Sequence, residues 1–373
     1  MDVLIQNLAY ITLPSVIMWI IGSVLIYLAI AKDMEPTLLL PMGFGAILVN
    51  LPVAVEGTGV QHVLDTLFSI GIEGAELFPL LLFIGIGAMI DFQPLLTNPK
   101  LMIFGAAAQF GIFFTLCLAS FFGFELKDAA SIAIIGAADG PTSIFVAQQL
   151  GSAYTAAIMV AAYSYMALVP MVQPPIIRLC TTKAERKIKM QYKGKPVSKL
   201  TKILFPIVVT IIVGLVAPDA VVLIGFLMFG NLIRECGVLN SLSETAQNVL
   251  ANLITILLGI TIASRMSASE FLRLETLLIM GLGLVAFVVD TFGGVMIAKI
   301  MNLFLKEKIN PMIGAAGISA FPMSARVVHK MGLEEDNQNF LLMHSIGVNV
   351  SGQIASVIAG GLILALVRSM IGG

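Results

Sequence analysis

The chain reads as long apolar runs separated by short polar interruptions. Residues 11–31 (ITLPSVIMWIIGSVLIYLAIA) carry no charged side chain, and residues 77–90, 101–124, 153–177, 203–217, 220–233, 248–264 and 274–289 are nearly as clean. Several of these runs reach the roughly 20 residues that a helix needs to cross a bilayer. The apolar positions are continuous, so the alternating segments of about ten residues that build an outer-membrane barrel are not predicted. The pattern predicts an all-α polytopic membrane protein. One stretch departs from it: residues 178–202 (RLCTTKAERKIKMQYKGKPVSKLTK) hold nine Lys and Arg against one Glu. The positive-inside rule makes this loop cytoplasmic and the protein a multi-pass resident of the inner (cytoplasmic) membrane. The loop either only sets topology or also docks an acidic partner or anionic lipid.

The basic loop divides the chain into residues 1–177, a first membrane repeat with its N-terminal helix, and 203–373, a second. The two halves resemble each other in order. LIYLAIAKDMEPTLLLPMGFGAIL (25–48) lies beside IVGLVAPDAVVLIGFLMFGNLI (212–233), and LLLFIGIGAMIDFQPLL (80–96) beside TILLGITIASRMSASEFL (255–272). The strongest match pairs IIGAADGPTSIFVAQQ (134–149) with MIGAAGISAFPMSARVV (312–328). Internal repeats in a membrane chain point to a transporter. Each half then holds one apolar segment broken by Gly and Pro: 128–150, with Gly136, Gly140 and Pro141, and 308–330, with Pro311, Gly314, Gly317 and Pro322. Proline removes a backbone donor and clashes with the preceding turn. Carbonyls freed inside a bilayer cost several kcal/mol unless something binds them, and a small cation does so well. The expectation is an inverted repeat whose two discontinuous helices meet near the bilayer midplane and form a substrate and ion site.

Composition agrees: 58% of the 373 residues are hydrophobic and 12% charged, where a soluble domain carries about 25% charged. A net charge of −1 gives no basic surplus for nucleic acid. The first run lacks a basic leader, Asp2 being the only charge before Lys32, and is expected to be retained. Three cysteines and three histidines are scattered, without disulfide or transition-metal spacing. No Walker A, Rossmann or Ser-His-Asp pattern is present, which argues against ATP hydrolysis by this chain.

The candidate chemistry lies at the breaks. A carboxylate at the bilayer centre costs on the order of 3 kcal/mol on insertion scales. Asp139 is therefore either a protonated structural acid or a Na+ or H+ ligand, and the hydroxyls of Thr142 and Ser143 within one turn favour the ion, since oxygen ligands suit a hard cation. In the second break Gly317 stands where Asp139 stands in the first, and Asn310, Ser319, Ser324 and Arg326 supply the polar atoms. Arg326 counters Asp139, binds an anionic substrate, or marks the cytoplasmic end of a helix. Asn349 is a ligand or a packing residue; Ser356 reads as packing glue. Tyr163 and Tyr165 are polar handles in the matching segment of the first half. Asp290 is a second ion ligand or a helix-end residue. Glu56, Glu73 and Glu76 surround a peripheral or re-entrant element.

GAADGPTSIF (136–145), INPMIGAAGISAFPMSARV (309–327) and NFLLMHSIGVNVSGQI (339–354) together closely resemble the β subunit of the sodium-translocating biotin-dependent decarboxylases, the oxaloacetate, methylmalonyl-CoA and glutaconyl-CoA group. The resemblance covers essentially the whole chain. An N-terminus short beside the oxaloacetate branch favours the acyl-CoA branches, methylmalonyl-CoA first. The resemblance implies a membrane subunit that decarboxylates carboxybiotin brought by a biotin carrier subunit, consumes a proton and exports Na+. It implies a carboxyltransferase subunit, a small membrane-anchored subunit and several β subunits as partners. It places Na+ on Asp139, Asn310, Gly314, Ser319 and Asn349, to which the residue chemistry adds the Thr142 hydroxyl, the catalytic roles on Asp139, Ser319, Tyr165 and Arg326, and carboxybiotin beside Arg326 and Asp139. The alternative from residues alone is a Na+-coupled organic-anion symporter or Na+/H+ antiporter without biotin.

Overall fold

The computed structural model describes residues 10–52, 59–74, 76–191, 194 and 196–371, so Glu56 lies outside it. Among the described residues the regular elements are all helical, and seven helices are long and apolar enough to cross a membrane. The chain is an all-α polytopic membrane protein.

Both halves present the same succession of elements. The first runs α1 (Leu13–Lys32), α2 (Pro36–Val49), α3 (Val60–Phe68) closing in a π-helical turn (Ser69–Glu73), α4 (Leu77–Met89) and the one-turn α5 (Gln93–Thr97). It continues through α6 (Met102–Ala108), α7 (Phe110–Phe121), an interrupted segment and α10 (Thr155–Cys180). The interrupted segment comprises α8 (Leu126–Ala133), a 3-10 turn (Ile134–Ala137) and α9 (Gly140–Gln149). After the short α11 (Lys183–Arg186), the second half repeats the order. It runs α12 (Lys199–Val216), α13 (Val221–Cys236), α14 (Asn240–Glu244) closing in a π-helical turn (Thr245–Leu250), α15 (Ala251–Ala263) and the one-turn α16 (Ala268–Phe271). The long α17 (Leu274–Phe304) follows, then a 3-10 segment (Pro311–Gly317) with α18 (Met323–Glu335), and finally α19 (Leu342–Ile371).

The halves also pack reciprocally. Helix α2 crosses α15 while α13 crosses α4, and α10 lies on α17 while α19 lies on α6. Exchanging the halves exchanges the contacts, which is consistent with the inverted repeat expected from the sequence. The crossing of α4 and α13 is backbone against backbone. A Cβ on Gly87 would fall 1.9 Å from the Leu227 carbonyl oxygen, and one on Gly230 would fall 2.1 Å from that of Ile84. Small residues let helices approach this closely where lipid, as apolar as leucine, gives no hydrophobic drive to association. The outer helices do the opposite. Helix α1 turns Ile20, Tyr27 and Ile30 outward, and α12 turns Ile211, Leu215 and Val216 outward. Such rows need a lipid neighbour.

The start of the basic stretch folds back on the second half. Arg186 pairs with Glu335 at 2.6 Å, Arg178 with Glu334 at 3.0 Å and Lys189 with Asp336 at 3.0 Å, all at the end of α18. The side-chain amide of Asn310 donates to the carbonyls of Arg186 and Ile188. The stretch therefore clamps the entry to the second break as well as carrying charge.

Gly87→Val places branched carbons inside the Leu227 peptide. The expected outcome is a loss of at least the 1–3 kcal/mol typical of overpacking, seen as a lowered unfolding temperature in detergent and reduced yield. An unaltered melting curve would show that α4 and α13 do not need this contact.

Candidate functional site

Both interruptions are visible in the backbone, and they meet. In the first half the 3-10 turn ends at Ala138, held in the left-handed region at φ 52°, and Asp139 is extended before α9 begins. In the second half Ile318 is extended after the Pro311–Gly317 turn. Ser319 then donates both its amide and its hydroxyl to the Ala137 carbonyl, at 3.0 and 2.7 Å.

Each broken segment frees carbonyls that a helix would have used, and side chains take them up. Gln173 of α10 donates to Ala315 at 2.7 Å. The Asn349 amide donates to Ala316 and Ile318 at 3.2 and 2.7 Å, and to the Ser324 hydroxyl at 3.0 Å. The Asp139 carbonyl, by contrast, already takes the Ser143 amide at 3.0 Å as the first bond of α9, and the Ser143 hydroxyl adds a second bond at 2.8 Å. Unsatisfied, each such group would cost several kcal/mol in an apolar interior.

The acid sits at the centre of this arrangement. Asp139 is the N-cap of α9, with Pro141 in the first turn of that helix, and its side chain is 3% exposed. Its Oδ2 accepts from the Thr142 hydroxyl at 2.7 Å, the Gln353 amide at 3.1 Å and the Ser356 hydroxyl at 3.1 Å. Its Oδ1 accepts the Thr142 amide at 3.5 Å. All the side-chain partners are neutral, so the site holds a carboxylate, two hydroxyls and an amide but no balancing charge. The helix N-terminus favours a negative group by about 0.3–1 kcal/mol, less than burial costs it. The buried Tyr163 ring rests on Gly140, and its hydroxyl has no partner among the described residues.

The structure distributes the sequence candidates over several places. Asp139 and Thr142 are in direct contact, Ser319 joins them through Ala137, and Asn349 lies one step further, through Ile318 and Ser324. Asn310 caps the start of the second 3-10 segment and ties it to the basic stretch. Gly314 provides close approach: a Cβ there would meet the Gly294 carbonyl oxygen of α17 at 1.9 Å. Tyr165 donates its hydroxyl to the Met280 carbonyl of α17. Arg326 is exposed, and its charge acts on Glu35, in the turn between α1 and α2. Burial raises the Glu35 carboxyl pKa, and Arg326 offsets this only in part. Asp290 is not a helix-end residue; it lies mid-way along α17, fully buried. Sequence reading did not place Gln353 and Ser356 on Asp139. Their i, i+3 spacing, which puts both on one face of α19, was the available signal.

A second feature opens at the face of the basic stretch. A cavity of about 850 Å³ is rimmed by Lys100, Lys189, Lys306 and Lys308, against the one acid Glu307, with Phe104 and Ile313 among its apolar walls. Ile313 belongs to the second broken segment, so the cavity abuts that break.

A family model described as the Na+-transporting oxaloacetate decarboxylase beta subunit matches residues 14–367. The methylmalonyl-CoA decarboxylase subunit beta of Propionigenium modestum is 49% identical over 94% of this chain and 94% of its own. The corresponding subunit of Veillonella parvula is 48% identical, over 96% and 94%. The oxaloacetate decarboxylase beta chain of Haemophilus ducreyi is 45% identical, over 98% of each chain.

Ser319→Ala keeps the amide bond to Ala137 and loses the hydroxyl bond, at a cost of about 1 kcal/mol. Peptides covering 134–140 and 316–322 are expected to exchange amide hydrogens faster, while the distant Ser120→Ala leaves both unchanged. Equal exchange in the two variants would mean that this bond does not hold the breaks together.

Proposed function

The chain belongs to the family of Na+-transporting oxaloacetate decarboxylase beta subunits, and we propose that it decarboxylates carboxybiotin delivered by a biotin carrier subunit while exporting Na+ and consuming a proton. The higher identity to methylmalonyl-CoA subunits supports a complex fed by methylmalonyl-CoA or glutaconyl-CoA. A carboxyltransferase, a small membrane-anchored subunit and further copies of this chain complete the assembly. The basic stretch 178–202 then faces the cytoplasm.

The observation that carries this reading is a buried acid whose side-chain partners are all neutral, set where two broken helices touch. Asp139 binds Na+ or a proton and so stays neutral in either state. The Thr142 and Ser356 hydroxyls, now donors to Oδ2, turn their lone pairs to the ion, and rotation of the Gln353 amide presents its oxygen. The shell is then all oxygen, which a hard cation prefers. Because Na+ and the proton compete for one carboxylate, release of one follows arrival of the other. Ser319 and Asn349 hold the second break against this acid, and Asn310 and Gly314 seat that break on the basic stretch and on α17. Tyr165 fixes α10 on α17. Arg326, one turn into α18, contributes positive charge for the anionic substrate.

Bound carboxybiotin supplies the carboxylate whose loss as CO2 drives the cycle. The lysine-rimmed cavity suits an anionic ring on a long arm: its cations attract the carboxylate, its apolar walls accept the ring, and it borders the second break.

Two measurements on the purified complex in proteoliposomes test the proposal. Wild type is expected to show Na+ uptake and Na+-stimulated CO2 release, both abolished by avidin, and Asp139→Asn should lose both together by at least about 100-fold, or roughly 2.7 kcal/mol. Na+ uptake at the wild-type level in Asp139→Asn would remove the ion from this site; avidin-insensitive Na+ movement would instead favour the antiporter. The triple variant Lys100→Gln, Lys306→Gln, Lys308→Gln should raise the KM for carboxybiotin about tenfold with kcat retained, about 1.4 kcal/mol of binding. An unchanged KM would exclude the cavity as the docking place.

A further inference from the structure

The long helix α17 meets both breaks along one face. Gly283 lies against Ile135, Ala286 and Asp290 lie against Gly136 in the first 3-10 turn, and Gly294 lies against Gly314 in the second broken segment. Asp290 thus sits one turn from the contact with the second break and directly on the first. Its side chain is fully buried, at 0% exposure. One oxygen has an evident structural task. Helix α7 starts at Phe110 without a side-chain cap of its own, and Asp290 Oδ1 accepts the amide of Gly111. The other oxygen has none. Oδ2 is buried without a hydrogen-bond partner among the described residues, and it faces Gly136 so closely that a Cβ there would lie 2.5 Å away.

Capping α7 needs only an acceptor, which an asparagine supplies equally well. It does not account for a full carboxylate whose second, buried oxygen has neither a hydrogen-bond nor an ion-pair partner among the described residues. Such a group is expensive unless an ion completes it. The facing element is the same broken turn that leads into Asp139, and its peptide oxygens are the kind a hard monovalent cation accepts. We propose that Asp290 Oδ2, with the backbone of the Ile134–Ala137 turn, forms a Na+ site distinct from the Asp139 cluster, on the α17 side of the first break. Asp139 takes its partners from α9 and α19; Asp290 reaches the break from α17, so the two acids flank one broken element. The proposal rests on Na+ transport, which the family carries, and not on carboxybiotin as the decarboxylated group.

The test separates the cap from the ion site on the whole complex. Asp290→Asn keeps an acceptor for α7 and removes the charge. It should unfold at the wild-type temperature and need about tenfold more Na+ for half-maximal turnover, whereas Asp290→Ala should lose stability as well. A stable Asp290→Asn complex with a wild-type Na+ response would leave Asp290 a cap only and overturn the proposal. Should Asp290→Asn fail to accumulate, wild-type complex treated with dicyclohexylcarbodiimide decides the matter by peptide mass spectrometry. Protection of Asp290 by Na+ but not by K+ supports the site; labelling equal in the two salts, at any level including none, overturns it.

Discussion

The fold depends on how backbone groups freed by two helix breaks are satisfied in an apolar interior. Helices suit a membrane because every interior amide and carbonyl is paired within the segment. Two breaks forfeit that economy, and the chain recovers it with side chains. Ser319 closes on Ala137, Asn349 on Ala316 and Ile318, and Gln173 on Ala315. Because these donors come from α10, α19 and the second break itself, the breaks are fixed relative to their neighbours in the bundle.

Charge is the second constraint. Asp139 has hydroxyl and amide partners but no basic residue in contact, and α17 carries Asp290 equally far from compensation. A resident Arg or Lys would neutralise such an acid permanently. Here the described residues leave both acids without an ion pair. The basic residues are kept at the rim, where Arg178, Arg186 and Lys189 pair with the end of α18 and four lysines ring the cavity beside the second break.

Close backbone contact couples these features. Gly87 and Gly230 let α4 and α13 touch, and Gly294 and Gly314 bring α17 onto the second break. The two breaks touch, with Ser319 of the second bonded to Ala137 of the first. The outer helix α1 joins in the same way, Gly22 and Gly43 letting it lie backbone to backbone on α2 while its other face meets lipid.

The apolar runs alone determined that this is a polytopic helical protein, because crossing a bilayer demands long uncharged segments and leaves few alternatives. Gly136, Pro141, Pro311 and Gly317 marked the breaks, because those residue types cannot sustain a helix without cost. The spacing of Asp139 and Thr142 gave the local half of the site, since an N-cap and its partner are sequence neighbours. Which distant groups complete it was decided by tertiary structure: Gln353 and Ser356 lie 214 and 217 residues from Asp139 and reach it only because α19 packs on α9. Likewise, Tyr165 was brought to Met280 and Asp290 to Gly136 by the packing of α10 and of the first break on α17. Local chemistry and periodicity are written in sequence order; the partner across a helix interface depends on crossing angle and register, which only the packed bundle sets.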